Sequence, residues 1–377
     1  MTNLKFPLLE LCGTPTEIGE AHGEALRDLV REHAERNLEW ILTQSPASLT
    51  EERLRALWVP VIAANRAAAR DLVEEMEAIA RAANVPFERV FILNSLLDVG
   101  NFRWLGTVQG MLGCTTFAVP EEHGTGRALL GQTYDLASFR RRFNVLMRLK
   151  PADGPSQLVY TLAGMIGAAG LNEDGIGINI NYLSSNDCGA GKLHAVIVRQ
   201  ALAARNLADA VTAPTTVAVQ ADQSADASRA NVARARAGGS HYLISDDTGN
   251  VVSVETSATR YALAYADGRP FGHTNHYLSE WMQPVSFTRP SAIGSSIARY
   301  TSLRRFLQSD DLTRESLKQM TRSHTSFPKS ICAHGSPEES DELRGSTVAA
   351  MVQSLSERKL EICDGCACEG EYVEVSL

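Results

Sequence analysis

The chain has 377 residues, 44% hydrophobic and 21% charged, with a net charge of −8. This is globular composition with enough apolar residues for a substantial core. The acidic balance, with no Lys/Arg run that would track phosphates, argues against nucleic acid as a partner, and no stretch of about 20 apolar residues suggests a membrane span.

The N-terminal third is patterned as helix. Thr14-Pro15-Thr16-Glu17 is a capping box with proline at the first helical position. Ile18, Ala21, Ala25, Leu29 and Val30 continue at helical spacing, which predicts a helix to about Leu42, before Pro46. A second pattern starts near Thr50 and meets Pro60, where a kink or break is expected. Helical spacing resumes from Val61 to Ala83, Asn84-Val85-Pro86 stops it, and a short helix is predicted over about Pro86–Leu97.

At Cys114 the period changes. Cys114–Val119, Ala128–Tyr134, Asn144–Leu149, Leu158–Ala163, Ile166–Leu171 and Ile176–Tyr182 read as an antiparallel meander. A helix follows at about Leu193–Ala204, then an Ala/Thr/Gln/Ser-rich stretch, 208–239, expected to form a surface helix pair with a loose loop. Strands are predicted at His241–Ser245, Val251–Thr256 and near Tyr261–Tyr265. Helices follow at about 295–308 and 313–322, and strands at Thr347–Leu355, Lys359–Cys363 and Glu371–Ser376. The order predicts an α+β layered fold, and the lack of a linker-like boundary predicts a single domain, 1–377. The start, Met1-Thr-Asn-Leu-Lys-Phe-Pro, has no apolar run of signal-peptide length. Val375-Ser376-Leu377 lacks the basic residue of the peroxisomal signal. The expected location is the cytoplasm.

Among seven cysteines, Cys114 lies at that period change, after Gly113. A Cys thiol inside a chain has a pKa near ~8.5 and needs a base to act as a nucleophile. The α-amino group of an N-terminal Cys, with a pKa of roughly 7.7–8.0, is such a base. An internal Cys becomes N-terminal if it attacks the preceding carbonyl, shifts the acyl group to sulfur, and water then cleaves the thioester. Gly113 suits this step, having no side chain to block attack and tolerating strained backbone. Thr115 and Thr116 favour extended structure and offer hydroxyls near the scissile bond. By itself the Gly-Cys dipeptide is a weak signal and reads first as a buried structural cysteine at a strand start.

The surrounding motifs separate these readings. They are Gly13-Thr-Pro-Thr-Glu-Ile-Gly19 with His22-Gly23, Gly113-Cys-Thr-Thr116, Gly131-Gln-Thr-Tyr-Asp135 and Gly164-Met-Ile-Gly167 with Gly170-Leu-Asn-Glu-Asp-Gly-Ile-Gly177. Asn179-Ile-Asn181-Tyr-Leu183, His273-Thr-Asn-His-Tyr-Leu278, Phe327-Pro-Lys-Ser-Ile-Cys332 and Cys368-Glu-Gly-Glu-Tyr-Val373 follow. In this order they resemble the penicillin acyltransferase family (isopenicillin N acyltransferases and their bacterial relatives), which are N-terminal-nucleophile hydrolases. The resemblance spans nearly the whole chain and is weakest over 208–239 and the N-terminal helices outside the Gly13 motif. It implies an αββα sandwich, two antiparallel sheets between helical layers. It implies self-cleavage before Cys114 into a helical fragment 1–113 and a catalytic fragment 114–377 that remain together, with a homo-oligomer also compatible. The substrate would be a small N-acyl amide, such as a β-lactam, or an acyl thioester, with no cofactor.

The same resemblance implies roles for other residues. The family's counterpart of Asp135 lies near the nucleophile's amine, and that of Asn275 is an oxyanion donor. Asn181 is either an oxyanion contributor, as at a similar place in bile-salt hydrolases, or a sheet-lining Asn. Arg344 matches an active-site Arg of the family and could pair Asp135, or is a surface Arg before a strand. Tyr134 and Gln132 flank Asp135 as candidate pocket residues, and Thr115 and Thr116 are candidate substrate contacts. His273 and His276 read as structural hydrogen-bonders, because an α-amine already supplies the base. Bile-salt hydrolases carry an Arg in the strand near this Asp. Here only Arg127 lies between Cys114 and Asp135, which disfavours that activity.

Cys363-Asp-Gly-Cys366-Ala-Cys368 looks like half of a zinc site, and Cys332-Ala-His334 is the only other candidate pair. Cys332 and Cys368 fall in family motifs that carry no metal, so the cluster is expected to be a metal-free turn between the last two strands. A metal-stapled, non-catalytic interaction protein is the competing reading.

Overall fold

A computed structural model describes residues 3–45, 48–99, 113–122, 125–216, 235–287, 290–341 and 344–377. Strand β1 (Leu8–Gly13) leads into helices α1 (Pro15–Ala25), α2 (Arg27–Gln44), α3 (Glu51–Ala68), α4 (Arg70–Ala83), α5 (Phe87–Asn94) and α6 (Leu96–Val99). Then come β2 (Cys114–Val119), β3 (Leu129–Ala137), a 3-10 turn at Ser138–Phe143, β4 (Asn144–Pro151), β5 (Gln157–Leu162), β6 (Ala169–Asn172) and β7 (Gly177–Tyr182). Helices α7 (His194–Leu202) and α8 (Leu207–Thr215) precede β8 (Ser240–Ser245), β9 (Val251–Thr256), β10 (Tyr261–Tyr265) and β11 (Phe271–His273). The chain closes with a 3-10 turn at Glu280–Val285, α9 (Pro290–Phe306), α10 (Arg314–Thr321), β12 (Gly345–Ser354), β13 (Lys359–Asp364) and β14 (Tyr372–Ser376).

The capping box forms as its sequence requires. Glu17 N–H donates to Thr14 Oγ1 at 3.3 Å, and Thr14 N–H donates to the Glu17 carboxylate at 2.7 Å. The helix expected to run on to Leu42 is instead two, because Leu26 leaves helical geometry at φ −118°, ψ 26°. Pro60 breaks nothing; α3 runs through it and ends at Ala69, at φ −161°, ψ 65°. A proline in mid-helix costs about 3 kcal/mol, and burial of Trp58, Val61 and Ile62 around it offsets that. The strand expected over Ile166–Leu171 shrinks to β6, and the second helix expected within 208–239 falls largely outside the described residues.

The strands form an eight-stranded sheet, β1-β4-β5-β6-β7-β8-β9-β10, and a six-stranded sheet, β11-β2-β3-β12-β13-β14. All pairs are antiparallel except β1 with β4, which makes the larger sheet mixed rather than purely antiparallel. Strand β7 packs on β2 and β3, so the sheets lie face to face. Helices α1, α7 and α8 cover the larger sheet, and α9 and α10 cover the smaller one. The expected αββα sandwich is therefore observed. Both faces of β2 are buried, which is why Cys-Thr-Thr-Phe-Ala-Val shows no exposed polar alternation. Ala118 joins the core between the sheets, while Phe117 and Val119 join Leu303, Leu307 and Leu317 beneath α9 and α10.

The N-terminal helices are fastened to the rest by close contact and charge. A Cβ at Gly19 would stand 2.3 Å from Glu75 O, and one at Gly23 2.6 Å from Ile79 O, so only glycine lets α1 lie this close on α4. Glu75 of α4 is buried and accepts from both Arg199 Nη atoms of α7, at 2.8 and 3.0 Å.

Candidate active site

Cys114 is the first residue of β2 and stands opposite Tyr134 of β3. Four elements meet at its backbone. The turn after β11 carries Asn275, whose Oδ1 accepts from Cys114 N–H at 2.8 Å. From the opposite sheet, Asn181 of β7 donates Nδ2–H to Cys114 O at 3.0 Å. Arg299 of α9 donates from Nη1 to the same carbonyl at 2.7 Å and to Thr115 Oγ1 at 3.1 Å, and from Nη2 to Asn275 Oδ1 at 2.8 Å. Cys114, Asn181 and Arg299 are almost wholly buried.

Asp135 lies beside this cluster on β3. Thr347 of β12, its register partner, donates Oγ1–H to Asp135 Oδ1 at 2.7 Å. The other carboxylate oxygen, Oδ2, is buried and has no hydrogen-bond partner among the described residues. A Cβ built on Gly113 would stand 2.9 Å from that oxygen and 3.2 Å from Arg299 Nη2. The unpartnered oxygen thus faces the residue before Cys114, and any side chain at 113 would strike it. Burial pushes Asp135 up to about 7, against the opposing pull of Arg299 and of the Thr347 and Thr133 hydroxyls. Burial also pushes the Cys114 thiol up to about 12, with the Asp135 charge adding to it. In the intact chain the thiol is therefore neutral and needs a base.

Each carboxamide orientation follows from its partners. Asn275 Oδ1 takes two donors and its NH2 donates to Tyr182 O at 3.0 Å, so its oxygen, not its NH2, faces Cys114. Asn181 Oδ1 accepts from Thr116 Oγ1 and from His241 Nδ1, both at 2.7 Å. That assigns the His241 proton to Nδ1, and its Nε2 accepts from Ser253 Oγ at 2.9 Å. Burial, with the neighbouring His273, holds His241 well below the usual histidine range, so it stays neutral. In this arrangement the Asn275 NH2 is turned towards Tyr182 O and the Asn181 NH2 donates to the Cys114 carbonyl.

The structure brings together Gly113, Cys114, Asp135, Asn181 and Asn275 from the sequence reading. It does not bring Arg344, whose guanidinium donates to the carbonyls of Ser336, Pro337 and Glu339 in a surface loop. The arginine at the site is Arg299, and Ser296, one turn earlier on α9, accepts from Asn275 N–H at 2.8 Å. Thr115 and Thr116 are buried ties to Arg299 and Asn181 rather than pocket walls. Tyr134, opposite Cys114, is fully buried with a hydroxyl that has no hydrogen-bond partner among the described residues, and Gln132 Oε1 accepts from Ile180 N–H across the sheets at 3.0 Å. His273 Nε2 bonds Glu255 at 2.8 Å and His276 Nδ1 bonds Ser296 Oγ at 2.7 Å, consistent with structural roles for both. Nothing in the sequence marks Arg299 apart from Arg304 and Arg305 on the same helix; only its four-residue spacing from Ser295, whose Oγ accepts from Arg299 Nε at 3.3 Å, hints at a polar inner face.

The family model described as acyl-coenzyme A:6-aminopenicillanic acid acyl-transferase matches residues 121–366. That span contains Asp135, Asn181, Asn275 and Arg299 and begins after Cys114. The acyl-coenzyme A:6-aminopenicillanic-acid-acyltransferase 40 kDa form of Emericella nidulans is 23% identical over 352 residues, covering 93% of this chain and 90% of its own. A mutant of the conjugated bile acid hydrolase of Clostridium perfringens superposes with a TM-score of 0.39 at 13% identity, covering 67% of this chain and 89% of its own. The penicillin V acylase of Agrobacterium tumefaciens superposes with a TM-score of 0.40 at 11% identity, covering 67% of this chain and 83% of its own.

Proposed function

The chain belongs to the acyl-coenzyme A:6-aminopenicillanic acid acyl-transferase family, and from that premise we propose that it is a self-cleaving amide hydrolase or acyltransferase whose nucleophile is Cys114. In the first step the Cys114 sulfur attacks the Gly113 carbonyl carbon and Asp135 takes the thiol proton. The C–N bond breaks, the proton passes to the departing Cys114 nitrogen, and a thioester forms. Water then cleaves the thioester, leaving the Gly113 carboxylate and a Cys114 with free thiol and α-amine. A carboxyl pushed up to about 7 is well matched to this proton transfer.

In the second stage the α-amine is the base. Asn275 Oδ1, which holds the Cys114 N–H in the intact chain, would accept from that amine, and Asp135 Oδ2 would meet it from the Gly113 side. Arg299 and Asn181 keep the Cys114 carbonyl fixed throughout. The thiol attacks a small N-acyl amide or acyl thioester to form an acyl-enzyme, which water hydrolyses or an amine acceptor removes. Fragments 1–113 and 114–377 stay together as a heterodimer.

One observation carries this reading: a buried carboxylate oxygen with no hydrogen-bond partner among the described residues faces Gly113, whose bond to Cys114 must break for Cys114 to become N-terminal. The test is the mass of the purified protein. Wild type should migrate as two fragments, 1–113 and 114–377, and Cys114→Ala as one chain. An unbroken wild type would overturn the proposal. A screen of N-acylated amines, with and without CoA thioester donors, would then assign hydrolysis or transfer.

A further inference from the structure

The turn between β13 and β14 carries Cys368, as expected, but it does not stand alone. Cys332 and His334, in the loop before β12, and His324, in the loop after α10, converge on it. One ligand atom from each of the four lies within 4.8 Å of all the others. The separations are 3.6 Å between Cys332 Sγ and Cys368 Sγ, 3.6 and 3.3 Å from those sulfurs to His334 Nε2, and 3.1 Å between the Nε2 atoms of His324 and His334. A tetrahedral zinc with Zn–S near 2.3 Å and Zn–N near 2.05 Å requires S–S, S–N and N–N separations of about 3.8, 3.5 and 3.3 Å.

We propose that Cys332, His334, Cys368 and His324 form a structural zinc site. Two sulfurs and two imidazoles in this arrangement suit Zn²⁺ above oxygen-seeking cations. Loading releases one proton from each thiol, so two thiolates and Zn²⁺ give a ligand set of zero net charge. His334 presents Nε2 to the centre, and its Nδ1 lies 3.7 Å from both Glu369 Oε1 and Cys366 Sγ. Cys366 stands outside the set, its Sγ 3.4 Å from Ala333 O and 3.7 Å from Thr347 O. All four ligands come from described protein side chains, which marks a closed structural centre rather than a catalytic one.

The site has a route to the active centre. Ala333, between two ligands, donates N–H to Thr347 Oγ1 at 2.9 Å and accepts from Thr347 N–H at 2.9 Å. Thr347 Oγ1 donates in turn to Asp135 Oδ1. Zinc would fix the loop that aims Thr347, and so acts as a positioning element for Asp135.

The test is the metal content of the full-length protein purified without chelator. Wild type and Cys12→Ser should carry about one zinc per chain, and Cys368→Ser and His324→Ala should lose it. Cobalt exchanged into wild type should give the strong visible absorption of tetrahedral thiolate-bound Co²⁺. If Cys368→Ser does not fold, His324→Ala, which alters an exposed side chain, still decides the question. Chelator treatment should raise hydrogen exchange at the Ala333 and Thr347 amides. Wild type with no more zinc than Cys368→Ser, or a Cys332–Cys368 disulfide recovered by peptide mapping, would overturn the site. Unchanged exchange after zinc removal would overturn the link to Asp135. These readouts do not depend on whether the Gly113–Cys114 bond is cut.

Discussion

Replacing Asp135 by Asn should cost stability at low pH and stabilise the protein above about pH 8, with the balance moving towards Asn as pH rises. Burial raises this carboxyl from an ordinary 3.8 to about 7. Below about pH 4 both folded and unfolded chains hold the proton, and the group contributes nothing. Between about pH 4 and 7 the unfolded chain has released the proton while the folded chain keeps it, so stability falls as pH rises. Above about pH 8 both forms are ionised and the full cost remains, roughly 4 kcal/mol at about 1.4 kcal/mol per tenfold change in proton affinity. Asn keeps an acceptor for Thr347 Oγ1 and carries no charge. Its NH2 adds a desolvation cost of about 1–3 kcal/mol that does not vary with pH. The comparison is made between Cys114→Ala and Cys114→Ala/Asp135→Asn, so that neither chain can cleave itself. Urea unfolding should show the gap shifting towards the double variant by about 4 kcal/mol from about pH 4 to pH 8. A gap that stays constant with pH would mean that Asp135 titrates normally. A shift in the opposite direction would mean that Asp135 is ionised and stabilised by Arg299, and either result refutes the unpartnered-carboxyl reasoning.

Other outcomes follow from the same geometry. Arg299→Ala removes two donors from the Cys114 carbonyl and Asn275 and should slow formation of the 114–377 fragment by about 100-fold or more, whereas Arg344→Ala should change it less than about 2-fold, both read by densitometry over time. Because Cys114 is fully buried and its thiol sits near 12, iodoacetamide should label Cys12 in native, uncleaved Asp135→Asn protein long before Cys114; equal rates, by peptide mass, would contradict the packing. After cleavage the two fragments should co-elute in size-exclusion chromatography without denaturant, since β1 pairs with β4 and Glu75 with Arg199 across the cut. Gly19→Val should destabilise the fold by more than about 3 kcal/mol, because its side chain would have to occupy space within 2.3 Å of Glu75 O.

Local chemistry was legible in the sequence. The capping box at Thr14, the period change at Cys114, the turns and most strands depend on neighbours a few residues apart, and they formed where expected. The ordered motifs also singled out Cys114, Asp135, Asn181 and Asn275. The failures share a cause. Strand β11 is three residues, Phe271–His273, too short to show a period, and β1 pairs in parallel with a strand more than 130 residues away. Pro60 reads as a breaker because propensity is local, while burial of Trp58 and Ile62 is not. Arg299 looks like any helix arginine until α9 is laid over β11. The direction in which Asn275 points is set by Arg299, which no motif contains, and by the carbonyl of Tyr182, which belongs to a motif 93 residues away. The sequence offered Cys332, His334 and Cys368 as candidate metal ligands and carried no sign of His324, which only the fold brings to them. The sequence by itself determined which residues have chemistry to offer and where the chain turns from helix to strand. Only the tertiary structure decided which charge stands beside which carbonyl, because those contacts join segments that nothing in the linear order relates.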